Sequence, residues 1–251
     1  MKPLTKDEIP KMRAAGKLAA QTLVYVEKYI KAGMTTEEIN TLVHDYTLSN
    51  GATPAPLGYH GFPKSVCTSV NDVICHGVPD GTVLKDGDII NVDVTCIKDG
   101  FFGDTSRTYF VGEVSEKAKL ITDVAYKAML KGIEEVRGFA STGDIGFEIS
   151  KFVTKQGFSV VRDIGGHGIG KIFHDDPFVP SYGKKGRGPK LMPWCCITVE
   201  PMINETAADL VEIDIPGSTI KYYVTGDHTL SAQFEHTVLI TDTGYEIMTL
   251  P

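Results

Sequence analysis

Several features that define other classes of protein are missing from this chain. No stretch of its 251 residues approaches the ~20 consecutive apolar residues that a transmembrane helix needs. The N-terminal segment Met1–Lys6 has no apolar core of the kind found in secretory signal peptides. We therefore expect a cytoplasmic protein that has no membrane partner.

Cysteine is sparse, and its spacing does not suit a structural framework. The chain has five cysteines, an odd number, and no C-x-x-C pair, which disfavours a zinc knuckle or a set of disulfides. A reducing cytoplasm fits this composition. The adjacent Cys195 and Cys196 are either a strained vicinal disulfide or, as we favour, two reduced thiols on opposite faces of a strand.

Positive charge is also scarce, since the formal net charge is −7. This balance argues against a specific nucleic-acid partner. The exception is the loop Pro180–Lys190, which carries Lys184, Lys185, Arg187 and Lys190. We predict a mobile surface loop there, and three roles stay open: simple solvation, cover over a cleft, or transient contact with the ribosome.

An internal repeat is present. Residues 34–51 align without gaps on residues 140–157, so that Thr36 meets Thr142 and Gly51 meets Gly157. Each copy follows an apolar helix, predicted over residues 12–31 and 117–136. Thr36 and Thr142 are predicted to cap the next helix, and the two glycines to close it.

The repeat continues at an offset of one further residue. Gly58-Tyr59-His60-Gly61 then matches Gly165-Gly166-His167-Gly168, and Asp93 matches Glu200. We predict an α+β fold of two similar halves, with antiparallel strands inside and helices outside. No linker separates the halves, so residues 1–251 are expected to form one domain with a central cleft.

Five side chains suit a metal centre in that cleft: Asp93, Asp104, His167, Glu200 and Glu235. Carboxylates with an imidazole favour a pair of divalent first-row ions over a lone zinc. Two such ions, roughly 3.5–4 Å apart, commonly activate water for hydrolysis. The sequence therefore indicates a metallohydrolase.

The two aspartates are predicted to lie on one hairpin. Asp99-Gly100 favours a two-residue turn after an alternating strand, and pairing of Lys98 with Phe101 makes Asp104 a diagonal neighbour of Asp93. The alternative for this pair is a solvated polar face. His167 alone would also be compatible with a purely structural role.

Five motifs, in order, resemble a known family: Gly58–Cys67 (GYHGFPKSVC), Asn71–Pro79 (NDVICHGVP), Asp104–Thr108 (DTSRT), Gly166–Gly170 (GHGIG) and Ser231–Thr237 (SAQFEHT). They are similar to those of type I methionine aminopeptidases, and the similarity runs from about Lys11 to Ile247. The resemblance implies the pita-bread fold, with two pseudo-symmetric halves, a central antiparallel sheet and outer helices. The family often has a tryptophan where this chain reads Lys221-Tyr222-Tyr223, so that pocket wall stays open.

The resemblance also implies roles for metal ligands and catalytic residues. Asp104 and Glu235 would bridge two divalent ions, Asp93 would hold one ion, and His167 and Glu200 would complete the other. Mn, Fe, Co and Zn all tolerate such ligands. Glu200 would also handle the proton of the attacking water.

Further positions match the substrate-binding residues of the family. His76 would contact the scissile amide nitrogen, and His174 would steady the carbonyl oxygen. The methionine side chain would be bound by four residues: Tyr59, Phe62, Cys67 and Phe173.

The implied function is removal of the initiator methionine from nascent proteins whose second residue is small. Two alternatives share the fold. The first is a prolidase or aminopeptidase P, although such enzymes carry an additional N-terminal domain that we do not expect here. The second is a non-catalytic ribosome-associated protein, although such relatives usually lack some of the five ligands.

Overall fold

Two pairs of helices, one pair in each half of the chain, match the predicted repeat. The structure is a computed structural model that describes residues 2–251. Its α-helices are α1 (Ile9–Glu27), α2 (Thr36–Ser49), α3 (Glu116–Ile133) and α4 (Thr142–Lys155). Helices α1 and α3 begin and end a few residues before the predicted limits of 12–31 and 117–136.

Short strands occupy most of the remaining chain. In chain order they are β1 (Thr53–Pro54), β2 (Cys67–Val70), β3 (Val73–Cys75), β4 (Ile89–Lys98), β5 (Phe101–Phe110), β6 (Ser159–Val160), β7 (Gly166–Ile169), β8 (Asp175–Val179), β9 (Cys196–Val199), β10 (Met202–Asn204), β11 (Leu210–Asp214), β12 (Lys221–Thr225), β13 (Ser231–Gln233), β14 (His236–Ile240) and β15 (Tyr245–Ile247).

The predicted cap residues of the repeated helices were wrong by one position. Thr35 and Ser141, in extended conformation, cap α2 and α4. The Thr35 amide donates to Glu38 at 2.6 Å and the Ser141 amide to Asp144 at 2.7 Å. Thr36 is instead the first helical residue, and its hydroxyl donates to the Asp80 carbonyl. This contact is distant in sequence, so the local pattern could not distinguish the two threonines.

All strand pairs within residues 2–251 are antiparallel, as predicted, and they form four sheets. In the first, β4 pairs with β5 along one edge and with β1 and β2 along the other. The second has the order β15-β14-β9-β7-β8, the third β13-β10-β6 and the fourth β11-β12-β3. The Glu235 amide donates to the Ser106 carbonyl at 3.0 Å and so connects β5 to the strands of the second half.

Each half has its own hydrophobic core beneath its helices. In the first half α1 and α2 cover β4 through Leu18, Leu23, Ile39, Val43, Ile90, Val92 and Val94. In the second half α3 and α4 cover β9 through Ile121, Met129, Ile145, Ile149, Ile197 and Val199. These arrangements confirm the predicted α+β fold with two similar halves and outer helices.

No helix within residues 2–251 combines the length and the apolar composition needed to cross a bilayer.

Candidate active site and metal centre

The first-half hairpin places two carboxylates side by side. Lys98 pairs with Phe101, Asp93 lies opposite Ser106, and Asp104 lies opposite Thr95, which confirms the predicted register. Asp99 and Gly100 form the turn with φ of 51° and 79°. Because this turn fixes the pairing, Asp93 and Asp104 point to the same face of the sheet.

The second half supplies three more ligand candidates from different strands. His167 lies in β7, Glu200 directly follows β9, and Glu235 lies between β13 and β14. Gly166, next to His167, faces the Thr198 carbonyl so closely that a Cβ atom would not fit. Glycine at this position therefore lets β7 approach β9 and brings His167 beside Glu200.

The imidazole of His167 presents a lone pair to the acidic residues. Its Nδ1 lies 3.0 Å from the Gly168 carbonyl oxygen, to which it donates its proton. The Nε2 atom is thus the free acceptor, and it lies 3.6 Å from both Asp104 Oδ2 and Glu200 Oε1. Nitrogen in this state is the form that binds metal ions.

The donor atoms fit a divalent cation. Ligand atoms of Asp104, His167 and Glu235 all lie within 4.8 Å of one another. Two buried carboxylate oxygens, Asp93 Oδ1 and Glu235 Oε1, have no hydrogen-bond partner among residues 2–251. Buried polar atoms without a partner are costly, and a bound cation would satisfy both of them.

The pKa shifts of the site residues also indicate a place for a cation. Burial, reinforced by the Asp104 carboxylate, raises the pKa of Asp93 and Glu235 well above their usual values and that of Glu200 to about 7. Burial alone would lower the pKa of His167, but Asp104 and Glu200 raise it. This cluster of like charges away from water is unfavourable unless positive charge is nearby.

Glu200 and Asp104 are also oriented by neutral donors. The Thr198 hydroxyl donates to Glu200 Oε1 at 2.8 Å, and the Gln233 amide donates to Oε2 at 3.2 Å. On the hairpin, the Thr95 hydroxyl donates to Asp104 Oδ1 at 2.7 Å. Such partners fix the direction in which a ligand presents its lone pairs.

All the site residues nominated from the sequence line one cavity of about 390 Å³. They are Tyr59, Phe62, Cys67, His76, Asp93, Asp104, His167, Phe173, His174, Glu200 and Glu235. The structure brings every one of them together, and their individual roles stay predictions.

Two further histidines face this cavity. His76 Nδ1 lies 3.1 Å from the Lys221 carbonyl oxygen, and His174 Nδ1 lies 2.9 Å from the Tyr59 hydroxyl. Partial desolvation in the cavity lowers the pKa of both, and the neighbouring His167 ring also lowers that of His174, to about 4. Both rings are therefore neutral near pH 7, with one donor and one acceptor nitrogen each.

One end of the cavity is apolar and aromatic. Phe62 and Cys67 are 2% and 8% exposed and pack with Ile215. The rings of Tyr59 and Phe173 lie 4.9 Å apart between centroids. This end suits a slender apolar side chain.

The sequence prediction missed part of the wall. Thr219 and Ile220, from the connection between β11 and β12, line the cavity. The neighbouring Lys221 side chain points away and pairs with Glu212 at 2.8 Å. No motif marks this wall, because the packing of the β11–β12 hairpin against distant residues positions it.

The basic loop Pro180–Lys190 does not line this cavity. Its carbonyl groups accept from the first amides of α4: Arg187 O from Gly143 at 2.9 Å and Pro189 O from Thr142 at 3.0 Å. Lys185 pairs with Glu148 at 2.8 Å. The loop is therefore fastened to α4, away from the ligand residues, and it does not cover the cavity in this conformation.

All five cysteines are free thiols. Cys195 and Cys196 pack into different hydrophobic clusters, so the preferred interpretation, two reduced thiols on opposite faces, is confirmed.

Known proteins share this architecture. Residues 10–242 match the family described as metallopeptidase family M24. The chain is 51% identical over 246 residues to a methionine aminopeptidase of Rickettsia prowazekii, with 98% of this chain and 94% of that relative covered. It is 50% identical over 248 residues to methionine aminopeptidase A of Synechocystis, with 98% and 96% covered.

Solved structures agree. A crystal structure of the methionine aminopeptidase from Rickettsia prowazekii is similar with a TM-score of 0.96 at 50% identity, and 100% of each chain is covered. A prolidase from Pyrococcus furiosus is similar with a TM-score of 0.78 at 21% identity. The aligned region includes 99% of this chain and 65% of the prolidase chain. The likeness to the prolidase concerns the fold alone.

Proposed function

The chain belongs to metallopeptidase family M24, and from that premise we propose that it is a methionine aminopeptidase with the pita-bread fold. It removes the initiator methionine from nascent polypeptides whose second residue is small. One observation carries this proposal: ligand residues from both halves, two neutral histidines and an apolar end share a single cavity. Because the site needs both halves, residues 1–251 are proposed to act as one catalytic domain.

The metal centre is proposed to hold two divalent ions. Asp104 and Glu235 would bridge them, Asp93 would bind one, and His167 and Glu200 the other. The unpartnered oxygens of Asp93 and Glu235 support this arrangement. When bound, such ions lower the pKa of water and polarise a carbonyl group. Co, Mn, Fe and Zn all suit these donors, and cellular supply selects among them.

The protein's own groups handle protons and charge. Glu200, whose carboxylate is oriented by Thr198 and Gln233, is proposed to take the proton of the attacking water and return it to the leaving amine. His76 donates from Nδ1 to Lys221, so its Nε2 can accept from the scissile N–H. His174 is proposed to donate to the carbonyl oxygen as negative charge develops there.

Substrate selection is proposed to rest on the apolar end. Tyr59, Phe62, Cys67 and Phe173 would enclose the unbranched methionine side chain, and norleucine, of nearly the same shape, should be accepted. An apolar pocket discriminates by ~1–3 kcal/mol per methylene. The wall around His76, beside Tyr223 with ring centroids 6.1 Å apart, would exclude a large second residue.

A single substitution tests the pocket. Cys67 is buried at the cavity wall, so Cys67→Phe should fill the space for the methionine side chain and raise KM by at least about tenfold, since ~1–3 kcal/mol is at stake. Metal content should match that of the parent protein. An unchanged KM would place the methionine side chain elsewhere.

Peptide hydrolysis tests the function itself. Met-Ala-Ser and Met-Gly peptides should be cleaved, and Met-Lys or Met-Phe peptides hardly at all. Chelation should abolish cleavage, and added Mn or Co should restore it. Efficient cleavage of X-Pro peptides with varied first residues would instead establish a prolidase-like enzyme. Intact binding to ribosomes without any hydrolysis would favour the non-catalytic alternative.

The cellular setting is proposed to be the cytoplasm, with transient contact to the ribosome through the basic loop. Nascent chains are the substrate, so the enzyme must meet them as they emerge. Lys184 and Arg187 are exposed, and neither makes an ion pair within residues 2–251. Their charges are therefore available to ribosomal RNA phosphates.

A further inference from the structure

The hydroxyl group of Tyr59 does more than complete the apolar wall. It lies 2.9 Å from Nδ1 of His174, a residue 115 positions away in sequence. This is the only hydrogen bond of that hydroxyl within residues 2–251. The two rings are 5.3 Å apart between centroids. The aromatic residue and the proposed donor to the carbonyl oxygen are therefore physically linked.

The backbone around Tyr59 is held in place. Tyr59 begins a short 3-10 turn that ends at Gly61, and Gly58, His60 and Gly61 have φ of 82°, 47° and 83°. The His60 carbonyl accepts from the Thr219 amide at 3.0 Å and from the Ser218 hydroxyl at 2.9 Å. Tight constraint of an unusual backbone conformation is a common sign of a functional position.

The ring of His174 is held from its other side. Phe173 stacks on it with centroids 4.1 Å apart and an interplanar angle of 20°. Phe173 also contacts the Tyr59 ring at 4.9 Å. The hydroxyl and the imidazole thus meet in a fixed geometry, which a hydrogen bond requires in order to be directional.

The direction of this hydrogen bond is tied to which nitrogen of His174 carries a proton, because a phenol hydroxyl can donate or accept. A neutral imidazole has one N–H donor and one acceptor. If the phenol donates to Nδ1, the proton must reside on Nε2. The opposite tautomer would leave Nε2 as an acceptor, which repels a carbonyl oxygen.

We propose that Tyr59 is a positioning residue: its hydroxyl donates to Nδ1 of His174 and thereby keeps Nε2–H directed at the carbonyl oxygen of the substrate. The proposal rests on the function proposed above, and it gives Tyr59 a part in the chemical step beyond methionine binding. It also assigns a function to the first-half motif Gly58–Gly61. In the second half the matching motif presents the metal-ligand candidate His167, whereas in the first half it presents a hydroxyl.

A double-mutant cycle tests the link. Tyr59→Phe keeps the ring and removes the hydroxyl, so kcat should fall by about 10- to 100-fold, as for other groups that orient a functional residue, while KM changes by less than about twofold. In a His174→Ala background the same substitution should change kcat by less than about twofold, because the hydroxyl acts through His174. Tyr245→Phe, which removes an exposed hydroxyl of β15 outside the cavity lining, is the matched control and should keep the parental kcat.

A measurement without turnover complements the cycle. Nitrogen NMR of ¹⁵N-histidine protein, with the His174 signals assigned by their loss in His174→Ala, should show protonated Nε2 in the parent. Tyr59→Phe should shift the population towards protonated Nδ1. His228, which pairs with Asp72 at 2.7 Å, serves as the unaffected reference.

The outcomes distinguish a failure of the role proposed for Tyr59 from a failure of the proposed function. Equal losses of kcat in both backgrounds, an increase in KM alone, or a protonated Nδ1 in the parent protein would each overturn the role of Tyr59. Absence of any methionine release by the metal-loaded parent would overturn the proposed function. The tautomer would then still be decided by NMR.

Discussion

Asp93 and Glu200 occupy matching positions of the two halves, yet their surroundings differ. Asp93 lies in the middle of β4, and its Oδ1 has no hydrogen-bond partner in the described part of the chain, residues 2–251. Glu200 follows a shorter strand, and both of its oxygens accept hydrogen bonds, from Thr198 and Gln233. The repeat therefore gives the same location to two carboxylates, and local donors distinguish them. A free oxygen suits a pure metal ligand, whereas an oriented carboxylate also suits proton transfer.

Substitution of the two proposed bridging ligands, one from each half, should have the largest effect on activity. Asp104→Ala or Glu235→Ala would remove a proposed bond to both ions, so activity should fall by more than about 10³-fold, given that metal activation is worth several kcal/mol and each 1.36 kcal/mol is tenfold. Metal content should fall as well, as measured by elemental analysis of the purified protein. Near-normal turnover in either variant would contradict the assignment of the site.

His174 comes next in expected effect. It belongs to the second half and contacts the His167 ring at 4.3 Å, but it is proposed to act on substrate rather than on metal. His174→Ala should lower kcat by roughly 10²–10³-fold, as expected for the loss of one donor to a developing oxyanion. Metal content should stay normal. If only KM changed, His174 would serve binding and not the chemical step.

The two threonines that orient carboxylates allow a direct comparison of the halves. Thr95→Val removes the hydrogen bond to Asp104, and Thr198→Val the one to Glu200. Loss of such an orienting partner costs about 10–100-fold in metal affinity or activity. We expect Thr95→Val to lower mainly the affinity for metal. Thr198→Val should lower kcat even when the metal is saturating. Steady-state kinetics and metal titration of both variants measure the difference; identical profiles would mean that the two carboxylates share one role.

Local sequence was enough to predict the parts of the site that depend on short-range geometry. The Asp99-Gly100 turn fixed the hairpin register, and therefore the common face of Asp93 and Asp104, within a few residues. The convergence of all five ligand candidates followed from the repeat and from the family resemblance. Parts that depend on distant packing were not predicted. Thr219 and Ile220 reach the cavity only because their hairpin docks on His60.

The smallest expected effect concerns the basic loop, which only the second half carries. The backbone carbonyls of Lys184 and Arg187 lie close to Gly143 at the start of α4, but their side chains are exposed. Reversal of both charges, Lys184→Glu with Arg187→Glu, should therefore leave the fold and the turnover of Met-Ala-Ser intact. Ribosome association, measured by co-sedimentation, should weaken and become less sensitive to salt, because fewer phosphate contacts release fewer counterions.

A matched control separates this contact from a general effect of net charge. Lys127→Glu with Lys131→Glu makes the same change in charge on the surface of α3, where both lysines form exposed ion pairs with Asp123 and Glu134. Such pairs contribute little to stability, so this variant should fold and bind ribosomes as the parent does. Equal weakening in the two variants would show that only the overall charge matters. Unchanged binding after reversal in the loop would leave its lysines and arginine as solvated surface residues.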